Sequence, residues 1–315
     1  MQVFNTLPIS MASCAVTVGT FDGLHLGHRK IIAELMRVSK EKKLVSTVVT
    51  FYPHPRKVLF PQKKLGLILS QEEKIDVFKT TGVQNLVILP FTKEFSKLGA
   101  EEFLKFLVEQ LNMKYLASGF NNHFGCDRIS DAVALSRYGK KYGFTVEKIA
   151  AVSGGDNNIS STLIRDALTN GDMETTFKML GYRYFILGEV VHGRQIGRTI
   201  GFPTANIKTG ENKLLPQSGV YVALTTIGEN VYRSLLNIGS NPTVSNEQRI
   251  TIENHLLGFS GNLYGQQIKV EPLTKLRGEQ KFDSINQLKN ALLSDKEMAE
   301  KYFDKKNVKI FLNKN

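Results

Sequence analysis

The stretch VTVGTFDGLHLGHRK, residues 16–30, runs a β-branched apolar start into a glycine-rich turn and then two histidines three positions apart. Such a run followed by glycine and then by helical periodicity reads as the opening of a βα unit. The periodicity is carried by Ile31, Ile32, Leu35 and Val38 within GHRKIIAELMRVSKEKK. At the mouth of that helix, the first N–H groups lack partners within the helix and carry about half a positive charge. Three readings of His25 and His28 follow. A metal site would need a third and a fourth ligand that the neighbouring sequence does not offer, which argues against zinc. His28 could be an ordinary first-turn residue with no role. The third reading is an anion site, where glycines let phosphate approach the backbone and imidazoles donate to its oxygens.

Working outward, strand-like and helix-like segments alternate. LVSTVVTFY, NLVILPF, KYLASGF and FTVEKIAAV read as strands, while AEEFLKFLVEQLN and SDAVALSRYGKKYG read as helices. That alternation predicts a parallel sheet covered on both faces, a Rossmann-like α/β half with ligands at the carboxyl ends of its strands. GTFDGLHLGH falls at such an end. After the helical TTFKMLG the pattern changes. From Tyr184 onward YFILGEVVHG, GVYVALTTI, VYRSLLNIG, RITIENHLLGF and GQQIKVEPLTKL are short strands, with a hairpin expected at Gly228-Glu229-Asn230. SINQLKNALLSDKEMAEKYF closes the chain as a helix. The second half is therefore expected to be a small antiparallel β-barrel with a terminal helix. The domain boundary is expected between Leu180 and Tyr184, giving domains 1–182 and 183–315.

The chain has 315 residues, enough for about two domains, and 42% apolar residues, enough for two cores. No apolar run approaches the ~20 residues that cross a bilayer, which argues against membrane transport, and the N-terminus lacks the features of a signal peptide. Cys14 and Cys126 are too few for a disulfide framework or a four-cysteine zinc site, and the expected location is the cytoplasm. The net charge of +12 is scattered in short pieces (HRK, EKK, QKK, GKK) without a basic tail. That dispersal argues against nucleic acid and suits phosphate-bearing small molecules. It leaves the oligomeric state open.

Five segments together carry a resemblance. GTFDGLHLGH has the H-x-G-H signature of nucleotidylyltransferases. TFYPHP, GFNNHFG and ISSTLIRDALTNGDM follow it in order, and GFPTANI stands in the second half. In this order they resemble the bacterial bifunctional riboflavin kinase/FAD synthetase family over essentially the whole chain. The resemblance implies that the first half joins FMN to ATP, giving FAD and pyrophosphate with Mg2+ as cofactor. The FMN phosphate attacks the α-phosphorus directly, so catalysis rests on positioning and charge stabilisation. It implies that His25 and His28 hold the ATP phosphates, with Gly19, Phe21, Gly27, His54 and Asn121 around them. Ser161, Thr162 and Arg165 would grip phosphate, although SST also reads as a helix N-cap. Asn122 and Arg128 would face the flavin; the family commonly has an aromatic residue at the position of Asn122 and a glycine at that of Ser130.

For the second half, the resemblance implies transfer of the ATP γ-phosphoryl to the ribityl 5′-hydroxyl of riboflavin. The chain has no G-x-x-x-x-G-K-[ST] motif. Gly193, Gly197 and Gly201 precede PTAN and read either as a phosphate-wrapping loop or as a barrel rim. In the family, Thr204 and Asn206 supply oxygens to Mg2+ and phosphate, Glu253 matches the general base, and Arg277 matches a contact to flavin or phosphate. By its own surroundings Glu253 could equally be a solvated strand residue. GRQIGR stands where the family usually has GDGRGR. Two rival readings are a family member that retains only FAD synthesis and a non-catalytic flavin- or nucleotide-binding regulator.

Overall fold

The computed structural model describes residues 1–6, 12–154, 157–193, 197, 200–242 and 248–306. The chain divides into two compact units, residues 1–161 and 162–315. In the first, the strands are β1 (Gln2–Phe4), β2 (Cys14–Val18), β3 (Val45–Tyr52), β4 (Asn85–Pro90), β5 (Met113–Gly119) and β6 (Thr145–Ile149). The helices are α1 (Leu26–Lys42), α2 (Pro55–Leu59), α3 (Gln71–Lys79), α4 (Ala100–Leu111) and α5 (Ala132–Tyr142), and a short β7 (Ser153–Gly154) and β8 (Asn157–Asn158) form a hairpin.

The six main strands pair in the order β1-β4-β3-β2-β5-β6, all parallel. All five residues of β2 are buried, as expected for a central strand enclosed on both faces. Cys14, Val16 and Val18 join one core with Phe103, Leu104, Leu107 and Leu111 of α4. The two-residue side-chain period turns Ala15 and Thr17 to the opposite face. The buried Ile31, Ile32, Leu35 and Val38 of α1 stand outside the α4 core. Chain order reverses on either side of β2: β3 lies on one side and β5 on the other. The carboxyl ends of β2 and β5 therefore form the switch point at which such sheets take ligands.

The second unit begins with α6 (Ser161–Thr169, its first residue in the preceding unit) and α7 (Met173–Leu180). Its strands are β9 (Ile186–Val191), β10 (Ala205–Thr209), β11 (Gly219–Ile227), β12 (Asn230–Pro242), β13 (Gln248–Leu256) and β14 (Gln267–Arg277), followed by α8 (Ile285–Lys306). They close an antiparallel barrel in the order β10-β13-β12-β11-β14-β9. The expected hairpin is present, with Ile227 paired to Asn230 and Gly228 at φ 57°. Val220, Val222, Leu224 and Leu235 pack against Ala299 and Phe303 of α8. The segment ahead of the barrel belongs with it: Gln217 N–H donates to the Leu168 carbonyl at 3.0 Å, and a side chain on Gly171 would meet the Tyr221 hydroxyl at 3.0 Å. Sequence periodicity did not single out β1, α2, α3 or β10, all short or weakly patterned.

Candidate active sites

The turn between β2 and α1 winds through left-handed conformations at Phe21 (φ 47°), Gly23 (φ 84°) and Leu24 (φ 36°). Two non-glycine residues there cost on the order of 1–2 kcal/mol each, so the surroundings must hold them in place. Phe21 is buried edge-on against Phe78 of α3, with ring centroids 5.6 Å apart. The Asp22 carboxylate accepts from the N–H groups of Ile68 and Leu69 at 3.3 and 3.2 Å. Its backbone carbonyl accepts from the Ser161 hydroxyl at 2.8 Å. Thr20 offers its carbonyl to the Lys74 ammonium at 2.9 Å and to the Thr50 hydroxyl at 3.3 Å.

His25 caps α1, its Nδ1 accepting the His28 backbone N–H at 3.3 Å. His54 caps α2 in the same way, accepting from the Arg56 N–H at 3.1 Å. A nitrogen that accepts carries no proton, so in both neutral rings the proton sits on Nε2. The rings of His25 and His28 stack at 3.6 Å and 19°, and Phe21 meets His28 edge-on at 5.2 Å. Burial pushes the His25 pKa down to about 4, partly offset by Asp22. His28 is driven well below the usual imidazole range, first by burial and then by His25 and Lys74. Its Nδ1 is enclosed and has no hydrogen-bond partner among the described residues. The pair is therefore neutral at pH 7, each ring with an N–H to donate. Gly27 lets this stack form, since a Cβ there would stand 3.0 Å from the His25 ring.

Gly19, Asn121 and Asn122, also singled out in this half, directly follow the carboxyl ends of β2 and β5. Gly19 follows β2, its N–H bonded to the Val49 carbonyl at 3.0 Å. Asn122 Nδ2 donates to the Val18 carbonyl at 2.8 Å, tying the loop after β5 to the end of β2 across the switch point. Asn121 is exposed beside it. Arg128 is exposed at φ 56° in a tight turn closed by reciprocal Phe124–Ile129 backbone bonds. The neighbouring Asp127 accepts the Ala100 N–H at 2.8 Å at the start of α4. Thr162 and Arg165 lie on α6, exposed and half-buried.

In the barrel, Asn206 of β10 pairs directly with Glu253 of β13, which also faces Asn237 of β12. Thr204 Oγ1 donates to Glu253 Oε2 at 3.3 Å. Ile252, Asn254 and Leu256 are buried, and strand alternation turns the half-buried Glu253 to the opposite face. Gly193 leaves room for Asn206: a Cβ there would fall 2.1 Å from Asn206 Nδ2. Gly197 receives the Phe202 N–H on its carbonyl at 2.8 Å, and Gly201 is left-handed at φ 85°. The remainder of GRQIGR, namely Arg194, Gln195, Ile196 and Arg198, lies outside the described residues. His255 shares a 2.8 Å hydrogen bond with the Pro203 carbonyl through Nδ1, which must donate because a carbonyl only accepts. Arg277 is engaged by the buried Asp295 of α8 through Nε at 2.9 Å and Nη2 at 2.8 Å, and Nη1 donates to the Gly278 carbonyl at 3.2 Å.

Sequence reasoning passed over Lys74, Asp22, His255 and Asn237. Lys74 had a legible signal: a lysine three and four positions before Val77 and Phe78, on the buried face of its helix.

Together, a phosphate-type helix mouth at a sheet switch point and a barrel face of hard oxygen donors define a two-unit, ATP-using transferase. The FAD synthetase family model matches residues 8–163, and the riboflavin kinase family model matches residues 180–303. A bifunctional riboflavin kinase/FMN adenylyltransferase of Bacillus subtilis is 36% identical over 93% of both chains. The enzyme of that name from Escherichia coli K12 is 34% identical over 96% of both. A crystal structure titled as a macrolide-efflux protein from Streptococcus pneumoniae superposes with a TM-score of 0.85 at 33% identity, covering 93% of this chain and 95% of its own. Among the described residues of this chain, no helix is long and apolar enough to cross a membrane. The chain belongs to the bifunctional riboflavin kinase/FMN adenylyltransferase family.

Proposed function

We propose that the chain is a cytoplasmic enzyme that phosphorylates riboflavin to FMN in the barrel and adenylylates FMN to FAD in the N-terminal unit, using ATP for both. The observation that carries the reading is that each half assembles its own set of groups. Stacked histidines stand at a helix mouth in one, and in the other an asparagine and a glutamate face each other on adjoining strands, with a threonine just ahead of the first. The functional division is placed at 182/183; the segment 164–179 lies between the two family matches.

In the barrel, the riboflavin 5′-oxygen bonds to the γ-phosphorus, the bond to the β–γ bridging oxygen breaks, and ADP leaves. Glu253 accepts the hydroxyl proton, held in place by the Thr204 hydroxyl. Thr204 and Asn206 offer hard oxygen donors, and the space left by Gly193 admits the Asn206 amide, a pair that would hold Mg2+. When bound there, the ion neutralises phosphate charge. Among the described residues no cluster of three His, Cys, Asp or Glu competes as a metal site. Arg277 acts on the flavin side indirectly, by fixing the segment that leads into α8.

In the N-terminal unit, an FMN phosphate oxygen bonds to the α-phosphorus and pyrophosphate departs. Neutral Nε2–H groups of His25 and His54, with His28 stacked between His25 and Phe21, donate to the phosphates. Gly19, Phe21 and Gly27 shape the loop that carries them. Asn121 meets the nucleotide, Asn122 and Arg128 stand on the flavin side, and Ser161 adds its hydroxyl to the grip on phosphate. The test is to incubate the pure protein with riboflavin, ATP and Mg2+ and separate the flavins by chromatography. FMN followed by FAD is expected. FAD formed only when FMN is supplied would reduce the chain to one activity, and no conversion would leave a binding protein.

A further inference from the structure

Resting on the reading of the N-terminal unit as the adenylyltransfer site, we propose that Lys74 is a positioning residue for that reaction. Its ammonium holds the strained turn before α1 and fixes the electrostatics of His28. Lys74 projects from α3 and is only 5% exposed, although α3 contributes none of the recognised motifs. A lysine is almost never that buried without a partner that compensates for lost hydration. The partner here is the backbone carbonyl of Thr20, the residue before the left-handed Phe21. Burial pulls the Lys74 pKa below the usual lysine value, and Asp22, two positions on, opposes that fall with its charge.

The contact belongs to a set in which α3 and the residues leading into it grip each successive position of the turn. Lys74 holds Thr20, Phe78 packs on Phe21, the N–H groups of Ile68 and Leu69 hold Asp22, and the Ile68 side chain closes over Gly23. The next residues are Leu24, itself left-handed, and His25, the cap. The Lys74 charge also acts on His28 and disfavours the imidazolium form. A fixed buried cation beside a neutral stacked imidazole keeps that ring an N–H donor and adds positive potential where pyrophosphate charge develops. Lys74 acts through the turn and His28, and contact with substrate is not required of it.

Lys74→Met removes the ammonium at similar volume, and Lys74→Arg restores a cation with hydrogen-bond donors. FAD formation from FMN and ATP is measured against FMN formation from riboflavin in the same preparation, so that the barrel reports the protein concentration, and urea unfolding followed by circular dichroism shows that the N-terminal unit, which carries Lys74, is folded. Misplacing a reacting group by about an ångström costs about a hundredfold, so Lys74→Met is expected to lower kcat for FAD formation about 10- to 100-fold relative to kinase turnover. KM for FMN should stay within about threefold, and Lys74→Arg should recover about tenfold of the loss, as expected for an effect on the transition state rather than on binding. FAD formation by Lys74→Met within about threefold of wild type would overturn the proposal. So would a proportional fall of both activities, or an arginine variant no better than methionine. If Lys74→Met does not fold, Lys74→Gln is read by the same ratio. A wild-type protein that makes no FAD from FMN and ATP refutes the functional reading itself, whatever the variants do.

Discussion

The two sites are built in opposite ways. The N-terminal one is a contiguous loop, its strained residues 21–24 held from outside by buried contacts of α3 and its imidazoles oriented by the backbone of the helices they cap. The barrel site has little local strain at its chemistry-bearing residues and depends on register. Glu253 meets Thr204 and Asn206 because β10 and β13 pair at one alignment, and a slip of one residue would turn Glu253 to the buried face. A loop site therefore depends on the packing beneath it, and a sheet site on the integrity of its barrel.

The largest effect should come from where the barrel unit begins. A fragment starting at Thr162 keeps α6 and α7, whereas one starting at Gly181 loses the buried Ile164, Leu168, Met179 and Leu180. At about 1.5–3 kcal/mol per large apolar side chain, the shorter fragment should be less stable by more than about 5 kcal/mol, and it should melt far lower by circular dichroism. Equal stability would move the structural boundary to the functional one.

Next is the buried fork of Arg277 and Asp295, side chains 18% and 1% exposed. Asp295→Ala leaves the guanidinium without its partner and should cost about 3–5 kcal/mol in urea unfolding of the barrel transition. FAD formation from supplied FMN should be far less affected than FMN formation.

Glu253→Gln keeps the shape and a hydrogen-bonding oxygen but cannot take a proton. A lost general base costs about a hundred- to ten-thousandfold, and a loose phosphoryl-transfer transition state places the expectation near a hundredfold in kinase turnover. Wild-type turnover at saturating riboflavin and ATP would make Glu253 a solvated strand residue.

The smallest effect concerns acid stability. The folded-state pKa of His25 is depressed to about 4 while the unfolded ring titrates near its usual value. The unfolded chain then binds more protons than the folded one between roughly pH 6.5 and pH 4, and stability falls as pH falls through that window. The loss attributable to His25 is on the order of 2 kcal/mol by pH 4, and His25→Gln should flatten the decline seen in urea midpoints.

How much of this could be read from residue order follows the same contrast. Residues 16–30 carry strand, turn and histidines in one run, so the βα unit and the two histidines at its helix mouth were legible directly. The barrel was legible as closely spaced strands, and the sheet and barrel appeared as expected. The pairing of Thr204 with Glu253, 49 residues apart, is set by register, which periodicity does not encode. β10 is five residues long and half-buried, which gives too weak an alternation to stand out. α3 was passed over because Glu73 and Lys74 occupy its buried face and blur the apolar stripe; the same anomaly marks Lys74 as functional. The engagement of Arg277 by Asp295 joins a strand to a helix across 18 residues, and nothing local to Arg277 announces it.

The central claim is that two independent sites act in succession, and complementation tests it most directly. His28→Ala should lower FAD formation by about a hundredfold and leave FMN formation unchanged, the counterpart of Glu253→Gln. Each variant alone, given riboflavin, ATP and Mg2+, should make little FAD. An equimolar mixture should make FAD at a rate approaching half that of the same total of wild-type protein, because FMN released by the His28→Ala barrel feeds the intact N-terminal site of Glu253→Gln. A mixture no better than its components, with both variants folded, would contradict the account.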